Sequence, residues 1–260
     1  MSVIVKATGE RSRDLVWELI VRSVRLRYRR SVLGLLWSQL APISTIVILT
    51  IVFVRVIPLG IENYAVFVFI GLTSWQWFQG GLTSATTCVV GGRDLVRQPG
   101  FPVVLLPPVA IASHLVHYVL AAPVIFGAVA VTSGGLPASA LSLPVILAVQ
   151  FLLCLGPGFV LAAAHVRLRD TSEALNVVLR LLFYATPIIY DEGRLRGSRF
   201  SFLYDINPVA HLITAQRDAL LHGRWPNPGT LLVIGGIAAG LAMLGARIFE
   251  SAAARFPDEI

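Results

Sequence analysis

Few side chains in this sequence could perform chemistry, and their spacing excludes most reactions. His114 and His117, three residues apart, could supply two metal ligands from one helix. No third ligand accompanies them, so we predict packing histidines and no metal site. Asp191 and Glu192 form the only close acidic pair outside the C-terminal tail. Enzymes that hold sugar nucleotides through a divalent metal need clustered acids, typically Asp-x-Asp, and the sequence contains no such motif.

The basic residues exclude a site for ATP hydrolysis on this chain. Twenty of the 21 basic residues are arginine and one is Lys6, whereas a phosphate-binding loop needs a lysine directly after its glycines. The fourteen carboxylates fall in predicted loops, tails and helix ends. Transport driven by protons or sodium usually needs an acid inside the membrane, so we expect a nucleotide-hydrolysing partner as the energy source.

The composition indicates a protein that lies in a lipid bilayer. The 260 residues are 56% hydrophobic and 13% charged, against roughly 25% charged residues in a soluble domain. Four stretches without Asp, Glu, Lys or Arg, each longer than the ~20 residues that cross a hydrocarbon core, cover residues 32–54, 63–92, 98–166 and 225–246. Cys88 and Cys154 lie in apolar runs and are interpreted as small core residues.

We predict an all-α membrane protein with one domain over residues 1–260. Its six transmembrane helices are expected at about 32–57, 64–90, 103–132, 141–165, 173–190 and 228–248. The segment before the first span holds eight basic residues, and basic segments stay on the cytoplasmic side. We therefore expect a multi-pass protein of the bacterial inner or plasma membrane with both termini in the cytoplasm. No cleavable signal peptide is predicted.

Residues 13–30 are predicted to form an amphipathic helix at the membrane interface. Charged side chains recur every three or four residues, at Asp14, Glu18, Arg22, Arg25 and Arg29. Apolar and aromatic side chains, including Trp17 and Tyr28, fill the rest of the helix, which is typical of interfacial helices. The basic cluster that ends at Arg30 would attract anionic lipid. The pattern leaves open a membrane anchor or a docking surface for a partner.

Two loops and one arginine suggest further roles. Residues 91–100 are bracketed by helix breakers, and Asp94 and Arg97 suit the dipole of one short helical turn; this turn is either a lever or an ordinary charged loop. After Asn207-Pro208, residues 209–220 predict an amphipathic helix that is re-entrant or lies on the outer surface. Arg180, inside the fifth predicted span, indicates a polar pathway or a pair with Glu173.

Four short segments of the sequence match the pattern of a known family. They are residues 27–38 leading to Pro42, Arg93-Asp94-Leu95-Val96-Arg97 with Phe101-Pro102, Arg169-Asp170, and residues 186–190 with Asn207-Pro208. In these segments, and in its six predicted spans, the chain resembles the membrane subunits of ABC-2 type polysaccharide exporters. Those proteins move O-antigen, teichoic acid, capsule or cell-wall galactan precursors.

The resemblance implies a homodimer of this chain with two copies of a separate nucleotide-binding ATPase subunit. ATP and Mg²⁺ would bind to that subunit and no cofactor to this chain. The substrate would be a lipid-linked polysaccharide, and no nucleic acid is expected as a partner. The resemblance assigns coupling to Arg93, Asp94, Leu95, Val96 and Arg97 and, more weakly, to Arg169 and Asp170. It assigns docking of the ATPase to Trp17, Arg22, Arg25, Tyr28, Arg29 and Arg30.

Aromatic residues of the spans are candidates for the translocation pathway, because sugars present apolar faces to aromatic rings. The candidates are Trp75, Trp77 and Phe78 on the second predicted helix, and Tyr184 and Tyr190, with Arg180, on the fifth. For each ring the alternative is an aromatic belt at the membrane interface. Two alternative functions remain open: export of a drug or small lipid by an ABC-2 relative, and a membrane enzyme acting on lipid-linked sugars.

Overall fold

The computed structural model describes residues 9–28, 37–56, 58–196 and 199–259, and these ranges are helical with short connections and without strands. Two short 3₁₀ segments, Val103–Leu105 and Ala138–Ser142, precede the helices that begin at Leu106 and Leu143, and the helix Trp37–Thr50 continues as the wider π turns Ile51–Val56. The twelve helices of the described ranges are α1 (Gly9–Tyr28), α2 (Trp37–Thr50), α3 (Tyr64–Gly91), α4 (Arg93–Val96), α5 (Leu106–Ser133), α6 (Leu143–Arg167), α7 (Thr171–Ala185), α8 (Glu192–Arg196), α9 (Ser201–Asp205), α10 (Pro208–Leu220), α11 (Pro228–Ala253) and α12 (Phe256–Glu259).

Three helical stretches of the described ranges are long and apolar enough to cross a membrane. They are Val103–Ser133, Ala138–Arg167 and Pro228–Ala253. The shortest has 26 residues, or about 39 Å at the α-helical rise, which exceeds the hydrocarbon thickness of about 30 Å. A shorter apolar helical stretch spans Ile43–Val56. The structure therefore describes a multi-helix membrane protein, with α3 of similar length but largely buried among the other helices.

Most predicted boundaries agree with the structure to within a few residues, but the predicted helix 173–190 was too long. That helix, α7, ends at Ala185, and Thr186 is extended with φ −99° and ψ 135°. The cause is Pro187, whose ring disfavours helical backbone at the preceding residue. Tyr190, expected on this helix, instead lies beyond its end. Residues 32–36, at the start of the first predicted span, and residues 29–30, at the end of the predicted interface helix, lie outside the described ranges.

The helix α3 is the centre of the packing. It contacts α2, α5, α6, α7 and α10, and its side chains from Tyr64 to Val89 supply much of the buried apolar core. The neighbouring helices α6 and α11 approach closely at two glycines, because a Cβ atom at Gly245 would lie 2.5 Å from the carbonyl oxygen of Gly156. Small residues of this kind let membrane helices pack with their backbones close together.

A second apolar cluster joins α4 and α12 to the ends of four long helices. Its buried side chains are Val89, Val96, Leu106, Phe159, Ala162, Ala163, Val166, Phe249 and Phe256. They come from the end of α3, the start of α5 and the ends of α6 and α11, which all meet at one end of the bundle. The short helices α4 and α12 are therefore packed elements of the fold.

The helix α10 begins as the sequence predicts and packs into the bundle. The Asn207 side chain accepts hydrogen bonds from the backbone N–H groups of Val209 and Ala210, and Pro208 takes the first helical position. This cap satisfies donors that a helix start leaves unpaired. Eight side chains of α10 are buried, including Gln216 and Arg217. Its contacts with α3 and α6 place it among these helices, with polar groups inside the protein.

Candidate functional site

The helix α4 presents its charges outward and one apolar side chain inward. Arg93, Asp94 and Arg97 are exposed, whereas Val96 is buried in the second apolar cluster. The turn is closed by hydrogen bonds from the N–H groups of Leu95 and Val96 to the carbonyl of Gly92, at 2.8 and 3.1 Å. The short helical turn expected between the second and third spans is thus confirmed, with a charged surface that a partner protein can reach.

The helix α1 packs against α5. Leu19 of α1 is buried, while Trp17, Arg22 and Arg25 are exposed. A cavity of about 350 Å³ lies between α1, α3, α4 and α5, with Arg22 and Asp94 both in its wall. The predicted docking helix and the predicted coupling turn therefore share one surface. Tyr28 ends α1, but its side chain and the residues Arg29 and Arg30 lie outside what the structure describes.

Arg169 and Asp170 form the exposed turn between α6 and α7. The carbonyl of Asp170 accepts the first helical hydrogen bond of α7, from the N–H of Ala174 at 3.0 Å. The Asp170 carboxylate stands at the N-terminus of α7, where the helix dipole favours negative charge. Just before the turn, Arg167 Nε lies 3.4 Å from the carboxylate oxygen Oε1 of Glu259 on α12. This ion pair brings the C-terminal helix to the same turn.

The three aromatic pathway candidates of α3 lie in the core. Trp75 and Trp77 are 1% and 2% exposed, and Phe78 is also buried. Trp75 Nε1 donates to Gln79 Oε1 at 2.8 Å, and Trp77 Nε1 donates to the carbonyl of Ile111 at 3.3 Å. Because buried indole N–H groups need such partners, these rings are held in place as packing residues. In this conformation the three rings present no surface to a sugar.

The helix α7 is different, because its exposed side carries a polar stripe among apolar side chains such as Val177, Val178 and Leu181. Leu175 and Leu179 are buried towards the bundle, whereas an exposed stripe follows at spacings of three and four residues: Glu173, Asn176, Arg180 and Tyr184. The ion pairs of the described residues join Arg167 to Glu259, Arg196 to Glu192 and His222 to Asp218, and Arg180 takes part in none of them. The predicted pair of Arg180 with Glu173 is therefore not among them.

Tyr184 and Tyr190 come together although α7 ends between them. Tyr184 is 65% exposed, and the Tyr190 hydroxyl donates to its carbonyl oxygen at 2.9 Å. The chain turns back after Thr186, so that a residue beyond the helix returns to its last turn. The end of α7 thus presents the exposed side chains of Arg180 and Tyr184, with the half-buried Tyr190 beside them.

Arg217 is a buried cation that sequence reasoning missed. It is 3% exposed, and its Nε, Nη1 and Nη2 donate to the carbonyls of Phe67, Pro187 and Ile188 at 3.2, 2.5 and 2.6 Å. Its guanidinium carbon lies 3.5 Å from the centre of the Phe67 ring, a cation–π contact. A Cβ atom at Gly71 would overlap the guanidinium.

Arg217 is charged, because a guanidinium keeps its proton in proteins, and the nearby acids Glu192 and Asp191 interact favourably with the cation. As a cation, Arg217 supplies donors to the carbonyls that follow α7 and so ties α10 to α3 and to residues 187–188. Its position three or four residues from Ile213 and Leu220, on the apolar face of α10, was the available sequence signal.

Gln216 completes a buried network of polar side chains from four helices. Its Nε2 donates to Ser74 Oγ and to Gln150 Oε1, both at 2.9 Å, and its Oε1 accepts from the Tyr118 hydroxyl at 2.9 Å. Ser74 Oγ also donates to Gln150 Oε1 at 3.0 Å. The four side chains are buried. Such a satisfied network favours one arrangement of α3, α5, α6 and α10.

The paired histidines of α5 have local partners. His114 Nε2 lies 2.7 Å from Ser84 Oγ, and the rings of His114 and His117 meet edge to face at 5.7 Å. In the part of the chain that the structure describes, no group of three His, Cys, Asp or Glu side chains converges as metal ligands.

The chain is similar in sequence to known proteins over nearly its whole length. A model of the ABC-2 type transporter family matches residues 14–221. The O-antigen export system permease protein RfbA of Myxococcus xanthus is 29% identical over 250 residues, which are 95% of this chain and 96% of that protein. Two proteins of the same name from Klebsiella pneumoniae are 27% and 26% identical over 248 residues, which are 94% of either chain.

Proposed function

This chain belongs to the ABC-2 type transporter family, and from that premise we propose that it is the permease subunit of an ATP-driven polysaccharide exporter. It would move a lipid-linked polysaccharide from the cytoplasmic to the outer side of the bacterial inner or plasma membrane. The observation that carries this proposal is the similarity, over 94–95% of the chain, to three proteins named O-antigen export permeases. The same observation favours a glycan over a drug or small lipid as the substrate.

We propose six spans in this topology: α2 with its π turns, α3, α5, α6, α7 and α11. Both termini, α4 and the Arg169–Asp170 turn would then be cytoplasmic, and α8 to α10 would belong to the outer side. The helix α10 would be re-entrant. Gln150 and Ser74, its hydrogen-bond partners, are the eighth residue of α6 and the eleventh of α3, which places them about 10 and 15 Å along these helices.

The energy for export would come from two copies of a separate ATPase subunit, which bind ATP and Mg²⁺. The single Lys6 gives this chain no phosphate-binding loop of its own. The ATPase would dock on α1 and push on α4, because their charged side chains share one surface around Arg22 and Asp94. Arg93 and Arg97 on the exposed side of α4 and the nearby Arg169–Asp170 turn would receive this push.

The pathway would form between two copies of the chain, on the side of α2 and α7. An exposed arginine in a membrane helix is costly against lipid, so Arg180 on the polar stripe of α7 needs a partner copy or an aqueous path beside it. The pathway candidates on or beside this stripe are Arg180, Tyr184 and the half-buried Tyr190. In our mechanism, closure of the ATPase subunits displaces α4, separates α2 and α7 of the two protomers, and opens a path along these side chains.

Affinity purification of the tagged chain from its native membrane in mild detergent tests the proposal, with mass spectrometry of copurifying proteins. We expect a nucleotide-binding ATPase subunit in one-to-one ratio, lost when Arg93, Asp94 and Arg97 are all replaced by serine. Arg224→Ser, at an exposed arginine of the loop before α11, is the matched control and should retain the ATPase. If no nucleotide-binding protein copurifies with the parent chain, the exporter proposal is wrong and a membrane enzyme for lipid-linked sugars becomes the better hypothesis.

The substrate class needs a separate readout. Depletion of the chain in its host should remove a glycan from the cell surface and cause lipid-linked glycan to accumulate inside. Unchanged surface glycan together with increased sensitivity to an exported drug would contradict the glycan assignment and support the drug or small-lipid alternative.

A further inference from the structure

The C-terminal helix α12 lies outside the region matched by the family model, which ends at residue 221, yet it packs against α4. Phe256 of α12 is 1% exposed and belongs to the same buried cluster as Val96 of α4. Its ring stands 5.2 Å from that of Phe249, which in turn stands 5.5 Å from Phe159 of α6. A row of three aromatic rings thus runs from the tail to the core of α6.

The tail also reaches the turn between α6 and α7. Glu259 pairs with Arg167, two residues before Arg169. Because both side chains are partly exposed, this ion pair adds at most about 1 kcal/mol to stability. Its contribution is therefore mainly orientation, since it fixes the far end of α12 beside the turn from which α7 starts.

The helix α4 needs such support to transmit a force. It has one turn, between Gly91-Gly92 on one side and Pro99-Gly100 on the other, and glycine gives the backbone unusual freedom. Gly100 has a positive φ of 81°. A push on the exposed charges of a turn joined by such segments would bend the joints unless the turn is held from behind. Val96 is its only buried side chain, and it lies in the cluster that contains Phe256.

We propose that α12 is a clamp that joins α4 and the α6–α7 turn into one mechanical unit. Displacement of α4 would pass through Val96 to Phe256 and, by way of Phe249 and Glu259, to the end of α6 and so to α7. This inference rests on the proposed function, because it assumes that α4 receives the push of an ATPase. It assigns to Phe256 the role of a positioning residue for coupling.

The test measures glycan transported per ATP hydrolysed by the complete complex, purified with its ATPase subunit and reconstituted in vesicles. In Phe256→Ala, we expect one-to-one ATPase copurification and continued hydrolysis, with the glycan transported per ATP falling by about fivefold or more. Phe256→Leu keeps an apolar side chain in the cluster and should restore most of the ratio. The control Val131→Ala removes an exposed apolar side chain of α5 and should leave the ratio unchanged.

Other outcomes overturn the clamp. An unchanged ratio in Phe256→Ala, or a parallel loss of hydrolysis and transport with a lowered Tm, would assign Phe256 to folding alone. A parent chain that purifies without any ATPase would instead overturn the proposed function itself, which separates the two failures.

A linking experiment keeps the clamp testable if Phe256→Ala does not fold. Gln98→Cys and Arg255→Cys, at exposed positions that flank α4 and α12 and leave Phe256 in place, are joined by a flexible bismaleimide in a chain whose Cys88 and Cys154 are replaced by alanine. A clamp that moves as one unit predicts full transport per ATP after linking. Arrested transport would show that α4 and α12 separate during the cycle and would overturn the inference.

Discussion

Replacing Gln216 by leucine tests whether hydrogen bonds, in addition to apolar packing, hold α10 in the bundle. Gln216 makes three hydrogen bonds, to Ser74, Gln150 and Tyr118, each of 2.9 Å. Leucine is similar in size, so the substitution removes these bonds without leaving a large cavity. The loss in stability should therefore reflect the polar contacts themselves.

The expected size of the effect follows from the partners. A hydrogen bond contributes about 1 kcal/mol in a protein and about 0.6 kcal/mol between membrane helices, so three bonds give about 2–3 kcal/mol. Ser74 and Gln150 keep their hydrogen bonds to each other. The Tyr118 hydroxyl loses the acceptor that it has in the structure and remains buried. Its unsatisfied donor should account for the largest part of the cost.

The measurement is the free energy of unfolding in mixed micelles of fixed composition, as a double-mutant cycle with Tyr118→Phe. Because Tyr118→Phe removes the orphaned hydroxyl, the double variant should be more stable than the sum of the single losses predicts, by about 1 kcal/mol. Two results would refute the view that this network fixes α10. One is a free energy of unfolding of Gln216→Leu within about 0.5 kcal/mol of the parent value. The other is a double variant whose loss of stability equals the sum of the two single losses.

Two further predictions concern Arg217 and the tyrosines Tyr184 and Tyr190. Gly71→Ala should lower the free energy of unfolding by about 1–3 kcal/mol, because its Cβ would overlap the Arg217 guanidinium. The control in the same unfolding assay is Gly127→Ala, whose Cβ meets nothing within 4 Å. Equal stability of the two variants would contradict the prediction. The double variant of Tyr184→Ala and Tyr190→Ala should reduce surface glycan several-fold while the ATPase still copurifies, because both rings would contact the sugar chain. Leu232→Ala, at an exposed position of α11, is the control, and unchanged surface glycan would remove the tyrosines from the pathway.

The long helices could be predicted from the sequence because their signals are local. The charge-free stretch 63–92 predicts α3. The turn-forming segment Ser133-Gly134-Gly135-Leu136-Pro137 predicts the break between α5 and α6. The start of α10 follows from Asn207-Pro208, where an amide cap precedes the residue best suited to a first helical position. The signal for the end of α7 was equally local, because Pro187 disfavours helical backbone at Thr186. The predicted helix nevertheless extended to residue 190, since the apolar run continues through Ile189.

The residues that the sequence did not reveal depend on contacts between distant segments. By its charge alone, Arg217 would be assigned to a polar loop. The three carbonyl groups that bind it and explain its burial lie 29 to 150 residues away in the sequence. Phe256 follows a charged residue in a short tail, and its burial depends on clustering with Val96 and Phe159. The rings of Trp75 and Trp77 differ from that of Tyr184 only in what packs over them. Hydropathy alone could not separate core rings from exposed ones.

The segment that follows α7 also explains why a buried arginine stands in α10. Pro187 keeps this segment out of the helix, so its buried carbonyls need donors from elsewhere, and here the carbonyls of Pro187 and Ile188 accept from Arg217. Neither feature is tolerable alone, since the carbonyls would lack donors and the cation would lack acceptors. The proline and the arginine are thus expected to covary among related chains, and any chain with an apolar residue in place of Arg217 should either continue α7 or bring another donor to these carbonyls.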